Sequence, residues 1–206
     1  PLTDSTTVTI TITGTNDAPV ITDGPDTADL DETNAALTTS GTLTVTDVDT
    51  SDVVTATRTL AVTGSSDRSD AAAPTDAELL AMLTLSPTTI LDGSTNTASL
   101  AWAFDSGTEF FDYLATGETL VLTYTVSATD DDSTTPLTDS TTVTITITGS
   151  ADAAVISGDT SYTGDQFEPV SGTLLATDAE GLTDDTYFTV TSQTVNGTAA
   201  IDEASG

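Results

Sequence analysis

Acidic side chains gather at three well-separated places in this chain: Asn16-Asp17, Asp47-Val48-Asp49-Thr50-Ser51-Asp52 and Asp130-Asp131-Asp132. Brought together without a counter-charge, such groups repel. A hard divalent cation, which takes six to eight oxygen ligands, would instead bind them into one shell. Oxygen donors without His or Cys favour calcium over transition metals. No segment has the D-x-D-x-D-G spacing of an EF-hand and no glycine-rich nonapeptide repeat occurs, so any site must be assembled by the fold. A solvated acidic surface is the alternative reading, because Asp is common in turns for its side-chain bonds to nearby backbone.

The rest of the composition narrows the chemistry. The 206 residues hold no Cys, His or Lys, which removes thiol and Ser-His nucleophiles, imidazole acid-base work, Cys/His zinc sites and Schiff bases. The composition therefore points away from an enzyme. Two Lys+Arg against 33 Asp+Glu give a formal net charge of -31, which excludes phosphate-backbone binding of nucleic acid and docking on an anionic membrane. Only 17% of residues are charged and Val, Ile, Leu and Thr recur, so the chain reads as folded rather than as an acidic disordered tail. No apolar run approaches the roughly 20 residues of a membrane span. A secretion signal, if the protein is exported, is expected outside these residues. Asn196-Gly197-Thr198 is a formal glycosylation triplet of a kind that arises often by chance.

What must position the aspartates is a repeated set of strands. Pro1 to Gly14 recurs letter for letter at Pro136 to Gly149, and Asn16 to Ile21 aligns with Ala151 to Ile156. Further on, Ser40 to Leu43 with Thr46 to Asp49 matches Ser171 to Leu174 with Thr177 to Glu180. The repeat divides the chain into residues 1–14, the last strand of a preceding unit; 15–149, one complete unit; and 150–206, the start of another. Period-two alternation marks strands at Val8-Ile10-Ile12 and its copy Val143-Ile145-Ile147, at Leu43-Val45, Val54 to Val62, Leu100-Trp102-Phe104 and Leu122 to Ala128. Thr75 to Met82 carries a capping box, Thr75 with Glu78, and predicts a short helix that plugs one end of a sandwich. Arg58 falls in phase with inward residues, which points to an edge position or a local carboxylate partner. The predicted fold is all-β, with tandem Ig-like or cadherin-like Greek-key β-sandwiches in a linear array. In such a sandwich consecutive strands run antiparallel, so the three acidic segments converge on one pole.

The run Phe111 to Leu120, then Tyr124-Thr125-Val126 with Asp130, and Val143 through Gly149, resembles the VCBS repeat of giant bacterial adhesins and RTX-type surface proteins. The junction Gly14 to Val20 is similar to the linker of that family, and Tyr124-x-Val126-x-Ala128-x-Asp130 to the penultimate-strand signature of cadherins. Residues from 150 on, with Ala176 to Gly181 and Asn196 to Ala199, look more like the related cadherin-like tandem repeats. The resemblance implies a secreted spacer module on a bacterial cell surface, held stiff by Ca2+ at junctions between adjacent repeats. One site is expected on Asn16, Asp17, Asp47, Asp49, Asp130, Asp131 and Asp132. A second is expected on Asp152, Asp178 and Glu180, where Ala151 and Ala154 replace Asn16 and Pro19. Two other functions remain open: an adhesive module that binds surface glycans or another cell, and a self-assembling extracellular fibre subunit. No cluster of exposed aromatics argues for the first of these.

Overall fold

The computed structural model describes residues 1–161, 163–165, 168–179, 181, 188–193 and 197–202; Glu180 and Asn196 lie outside them. The chain is nearly all β, and residues 15–149 form an Ig-like sandwich of nine strands and one helix, with two further strands after it among the described residues. One sheet holds β1 (Val20–Thr22), β3 (Thr38–Thr46), β7 (Thr97–Asp105) and β5 (Leu83–Ser86), in the order β1-β3-β7-β5. The other holds β2 (Asp26–Asp31), β9 (Thr138–Thr148), β8 (Thr119–Thr129), β4 (Val53–Gly64) and β6 (Thr89–Asp92), in the order β2-β9-β8-β4-β6. The pairs are antiparallel except β2 with β9, which run parallel from Asp26 opposite Val143 to Asp31 opposite Thr148.

Alternation sets the core as expected. In β8, Leu120, Leu122, Tyr124, Val126 and Ala128 face inward, and in β9 Val143, Ile145 and Ile147 do the same, all at 0% exposure. Leu43, Val45, Leu100 and Phe104 meet them from the opposite sheet, each such side chain contributing about 1.5–3 kcal/mol when fully buried. Trp102 lies across Gly41, its cross-strand partner, where a Cβ would stand 2.6 Å from the indole. Its Nε1–H donates to Asp26 Oδ2 at 2.6 Å and so ties β7 to β2 of the other sheet.

Two expectations change and one is narrowed. The helix α1, Asp76–Met82, forms with Thr75 as its cap and both capping-box bonds present, but it closes the flank of the sandwich rather than an end. It packs against β4 and the edge strand β5, and Leu79 O and Leu80 O accept bonds from Tyr124 and Arg58, both in mid-strand. Arg58 takes the edge position, the first of its two expected settings: β6 pairs with β4 only as far as Thr55, so at Arg58 β4 pairs with β8 alone among the described strands, and Arg58 has no carboxylate partner among the described residues. Its Nε–H donates to Leu80 O at 3.2 Å, placing a cation near the helix C-terminus, where carbonyls carry partial negative charge. Residues 1–14 form no strand, and Val8, Ile10 and Ile12 are 80–90% exposed while their copies in β9 are 0% exposed. The physical difference is pairing: β9 is hydrogen-bonded on both sides, by β2 and β8, whereas residues 1–14 pair with no strand among the described residues.

Beyond Gly149, β10 (Val155–Gly158) pairs with β11 (Leu174–Thr177), Val155 opposite Thr177 and Ile156 opposite Ala176. That is the register of β1 with β3, where Val20 faces Thr46 and Ile21 faces Val45.

Two acidic poles as candidate cation sites

Antiparallel pairing brings the end of β3, the start of β4 and the end of β8 to one pole, beside the segment that leads into β1. There the acidic groups interlock. Asp17 N donates to Asp49 Oδ2 at 2.8 Å and Asp49 N to Asp47 Oδ1 at 2.9 Å. Asn16 Nδ2 donates to Asp130 Oδ2, and Leu137 N and Asp132 N donate to Asp130 Oδ1. Asp130 is 4% exposed with both oxygens accepting. Asp47 is 3% exposed, and among the described residues its Oδ2 has no hydrogen-bond partner; nor does the buried Oδ2 of Asp52. One oxygen from each of Asp47, Asp49 and Asp52 lies within 4.8 Å of the others.

Burial pushes the Asp47 carboxyl above the ordinary carboxylate range, and the charges of Asp49, Asp130 and Asp17 add to the push against the Asp49 N–H bond. Asp52 is raised for the same reasons, burial first and then Asp49 and Asp47. The pole is thus short of positive charge, and both arginines are engaged elsewhere, Arg58 on Leu80 O and Arg68 on Asp76. Asn16, Asp17, Asp47, Asp49 and Asp130 come together as the sequence suggests. Asp52, in the same acidic run, joins them although it was not among the expected ligands. Asp131 Oδ1 instead accepts from Val53 N and braces the start of β4. Asp132 Oδ1 accepts from Thr134 N and Thr135 N, bonds that hold its carboxyl below the ordinary range.

A second acidic group lies at the opposite pole. The parallel β2–β9 pair places Glu32, just past β2, beside the exit of β9, where Glu32 N donates to Thr148 O at 2.8 Å. Glu32 is 1% exposed. Its Oε2 accepts from Ser150 Oγ at 2.8 Å and Ser150 N at 3.2 Å, while Oε1 has no hydrogen-bond partner among the described residues. Asp112 follows Phe111, a fully buried residue at φ 64, a conformation rare for bulky side chains and held by the packed ring. Asp112 Oδ1 is likewise buried without a partner among the described residues. One oxygen each from Glu32, Asp112 and Asp152 lies within 4.8 Å of the others. Burial, then the charges of Asp152 and Glu32 and a side-chain hydrogen bond to Glu32, raise the Asp112 carboxyl.

Asp152 and Asp178 line one cleft of about 460 Å³ together with Asn34 and Asp112. The carboxylates that close on Asp152 are therefore Glu32 and Asp112 of the complete sandwich. Sequence reasoning missed both. The available signal was an acid embedded in the apolar run Phe110 to Leu114, where its neighbours are bound to be buried.

No family model matches the chain, and no curated protein matches it. Among solved structures, an ASH/PapD-like domain of human CEP192 (PapD-like domain 7) is similar at 12% identity and TM-score 0.42, over 73% of this chain and 99% of that one. AggA, the major subunit of aggregative adherence fimbriae type I from Escherichia coli, is similar at 12% identity and TM-score 0.30, over 64% of this chain and 93% of that one. Likenesses this distant say nothing about what the chain does.

Proposed function

We propose that the chain is a stretch of tandem spacer modules from a secreted bacterial surface adhesin of the VCBS-like kind, stiffened by calcium at the ends of its sandwiches. In this reading residues 1–14 close a preceding module, 15–149 make one whole module and 150–206 open the next. The matching registers of β1–β3 and β10–β11 support a repeated module. One observation carries the cation: Asp47, 3% exposed, keeps an oxygen without a partner among the described residues, among the carboxylates of Asp17, Asp49, Asp52 and Asp130. A buried anion with no cation is costly, and a hard divalent ion at this pole removes the cost. The module's partners are then the adjacent repeats of its own polypeptide.

Thermal melting in chelator and in millimolar calcium, at matched ionic strength, tests the reading. With an affinity of about 0.1–1 mM, typical of extracellular modules, a ten-fold excess stabilises each site by about 1.4 kcal/mol. For a domain of this size that raises Tm by roughly 4–7 °C. An unchanged Tm would overturn it.

A further inference from the structure

We infer that the outer edge of β4, from Arg58 to Val62, is an interaction surface for a second copy of this chain, whose own β4 pairs with it antiparallel about a two-fold axis. β6 accompanies β4 only as far as Thr55, after which Ala56 N donates to Thr88 O. On the other side β8 runs beside β4 as far as Gly64, and Ser65 N donates to Thr119 O. Backbone groups of successive residues point alternately to the two neighbours of a strand, so the odd-numbered residues serve β8 while Arg58, Leu60 and Val62 turn their N–H and C=O outward. No described strand pairs with them there. Burial changes at the same point: Val54 and Ala56 are buried, whereas Arg58, Leu60 and Val62, on the same inward face, are only half-buried. The helix α1 closes the space between the sheets and not the edge in the sheet's own plane, since it is the inward side chains of Arg58 and Tyr124 that reach its carbonyls.

Charge selects the occupant. The chain carries 33 acids and a net charge of -31, yet Val53–Gly64 holds no acid and its one charged residue is Arg58. Two copies repel wherever their acids face each other, and at this edge none do. The strand is also self-complementary. With Leu60 opposite its counterpart, Arg58 falls opposite Val62, Thr59 opposite Ala61 and Thr57 opposite Thr63, so no like charges meet and two half-buried leucines cover each other. The two arginines then stand roughly 13 Å apart along the strands, at about 3.3 Å per residue, beyond the screening length of about 8 Å at physiological salt. An inward-turned charge on an open edge ordinarily discourages pairing, but Arg58 is already bonded to Leu80 O, and in so acidic a chain a cation lowers the repulsion between copies. Pairing from Thr57 to Thr63 adds about six inter-strand bonds and stops where Thr88 meets Ala56. Such a dimer closes on itself, unlike a head-to-tail fibre, and needs nothing from the tandem reading.

Sedimentation of the whole chain in chelator tests the inference, with sodium chloride at about 0.1 M and about 1 M, where the screening length falls from about 10 Å to about 3 Å. The parent should form dimers that dissociate on dilution and tighten several-fold at the higher salt. The chain has no Cys, so Leu60→Cys supplies a single thiol that faces its counterpart at about 5.5 Å between Cα atoms, within reach of a disulfide. Mild oxidation should link that variant into covalent dimers, and should leave Thr84→Cys, on the edge strand β5, unlinked. Leu60→Pro removes an N–H that faces the open edge and none that serves β8, and should abolish the dimer. Should it fail to fold, Ala61→Asp decides in its place: it sets a carboxylate from each copy beside the two-fold axis, at an exposed position, and should abolish the dimer while keeping Tm. A parent that is monomeric at both salts, or Leu60→Cys that links no faster than Thr84→Cys, would overturn the inference. A dimer that persists in Ala61→Asp and is lost in Ile10→Asp would overturn it too, and would place the contact in residues 1–14.

Discussion

The two acidic poles of the sandwich are built in different ways. The N-terminal pole draws Asn16, Asp17, Asp47, Asp49, Asp52 and Asp130 from segments that flank strands of the sandwich, and backbone N–H groups of the same segments already satisfy many of its oxygens. The C-terminal pole draws single acids from three unrelated places, and one of them, Asp152, belongs to the chain after β9. The first pole is therefore built within the sandwich, and the second also draws on the segment that follows it. A pole made of loops tolerates its own repulsion by hydrogen bonding. One made of single acids from separate segments encloses Glu32 at 1% exposure with an oxygen that has no hydrogen-bond partner among the described residues.

The largest effect should come from a residue at neither pole. Both poles are ends of the same two sheets, so Trp102→Ala, which opens a cavity beside Gly41 and removes the indole bond to Asp26, should cost about 3–5 kcal/mol and weaken both calcium responses together. Melting in chelator and calorimetry check this. Calcium binding that survives intact at either pole in an unfolded variant would show that pole to be an independent loop. Next in size are the pole-specific changes. Asp47→Asn and Glu32→Gln should each remove about 1.4 kcal/mol of stabilisation at ten-fold excess calcium, and the double variant should lose the sum within about 0.5 kcal/mol. The 11 residues of β8 between the poles span roughly 35 Å at about 3.3 Å per residue, too far for direct coupling.

The N-terminal pole also carries a pH signature. Asp47 is held above its ordinary value of 3.8 by burial first and by neighbouring carboxylates after it, so the folded chain takes up this proton more readily than the unfolded one. The stabilisation that protonation gives is fully present below the ordinary value and is lost as pH rises through the folded one. In chelator, Asp47→Asn should thus be more stable than the parent at neutral pH, and the advantage should vanish as pH falls toward 3.8. Melting of both proteins across that window measures it; an advantage that stays constant with pH would mean that Asp47 is not the strained anion of this pole.

How far these features were legible in the sequence follows from how each is encoded. Val143, Ile145 and Ile147 bury because alternation with Thr leaves a strand no other way to hide them, and the Thr75–Glu78 box caps the helix by bonds that span only a few residues. Where that helix lies is another matter, since Arg58 and Tyr124 fix it from distant strands. The N-terminal pole was readable because its aspartates come in runs at strand ends. Glu32 was not, because it meets Ser150 through the parallel pairing of β2 with β9. The alternation in each strand shows that it is a strand, not which distant strand it pairs with.

The smallest effect sharpens the boundary of the N-terminal pole. Asp132 sits in the acidic triplet that the sequence offers as ligands, yet its Oδ1 already accepts from Thr134 N and Thr135 N, each at 2.8 Å. Those bonds close the turn between β8 and β9 and stabilise its charge without help from a metal. Asp130, two residues earlier, is buried and faces Asn16. Asp132→Asn should therefore leave calcium affinity within about two-fold of the parent, the range of surface changes away from a site, while Asp130→Asn should weaken it by ten-fold or more, about the effect of losing a group that orients metal ligands. Calorimetric titration of both variants reads the difference directly. A ten-fold loss in Asp132→Asn would move the centre of the site from Asp47, Asp49 and Asp52 to the β8–β9 turn, and the N-terminal pole would then be a single-loop site rather than a convergence of several.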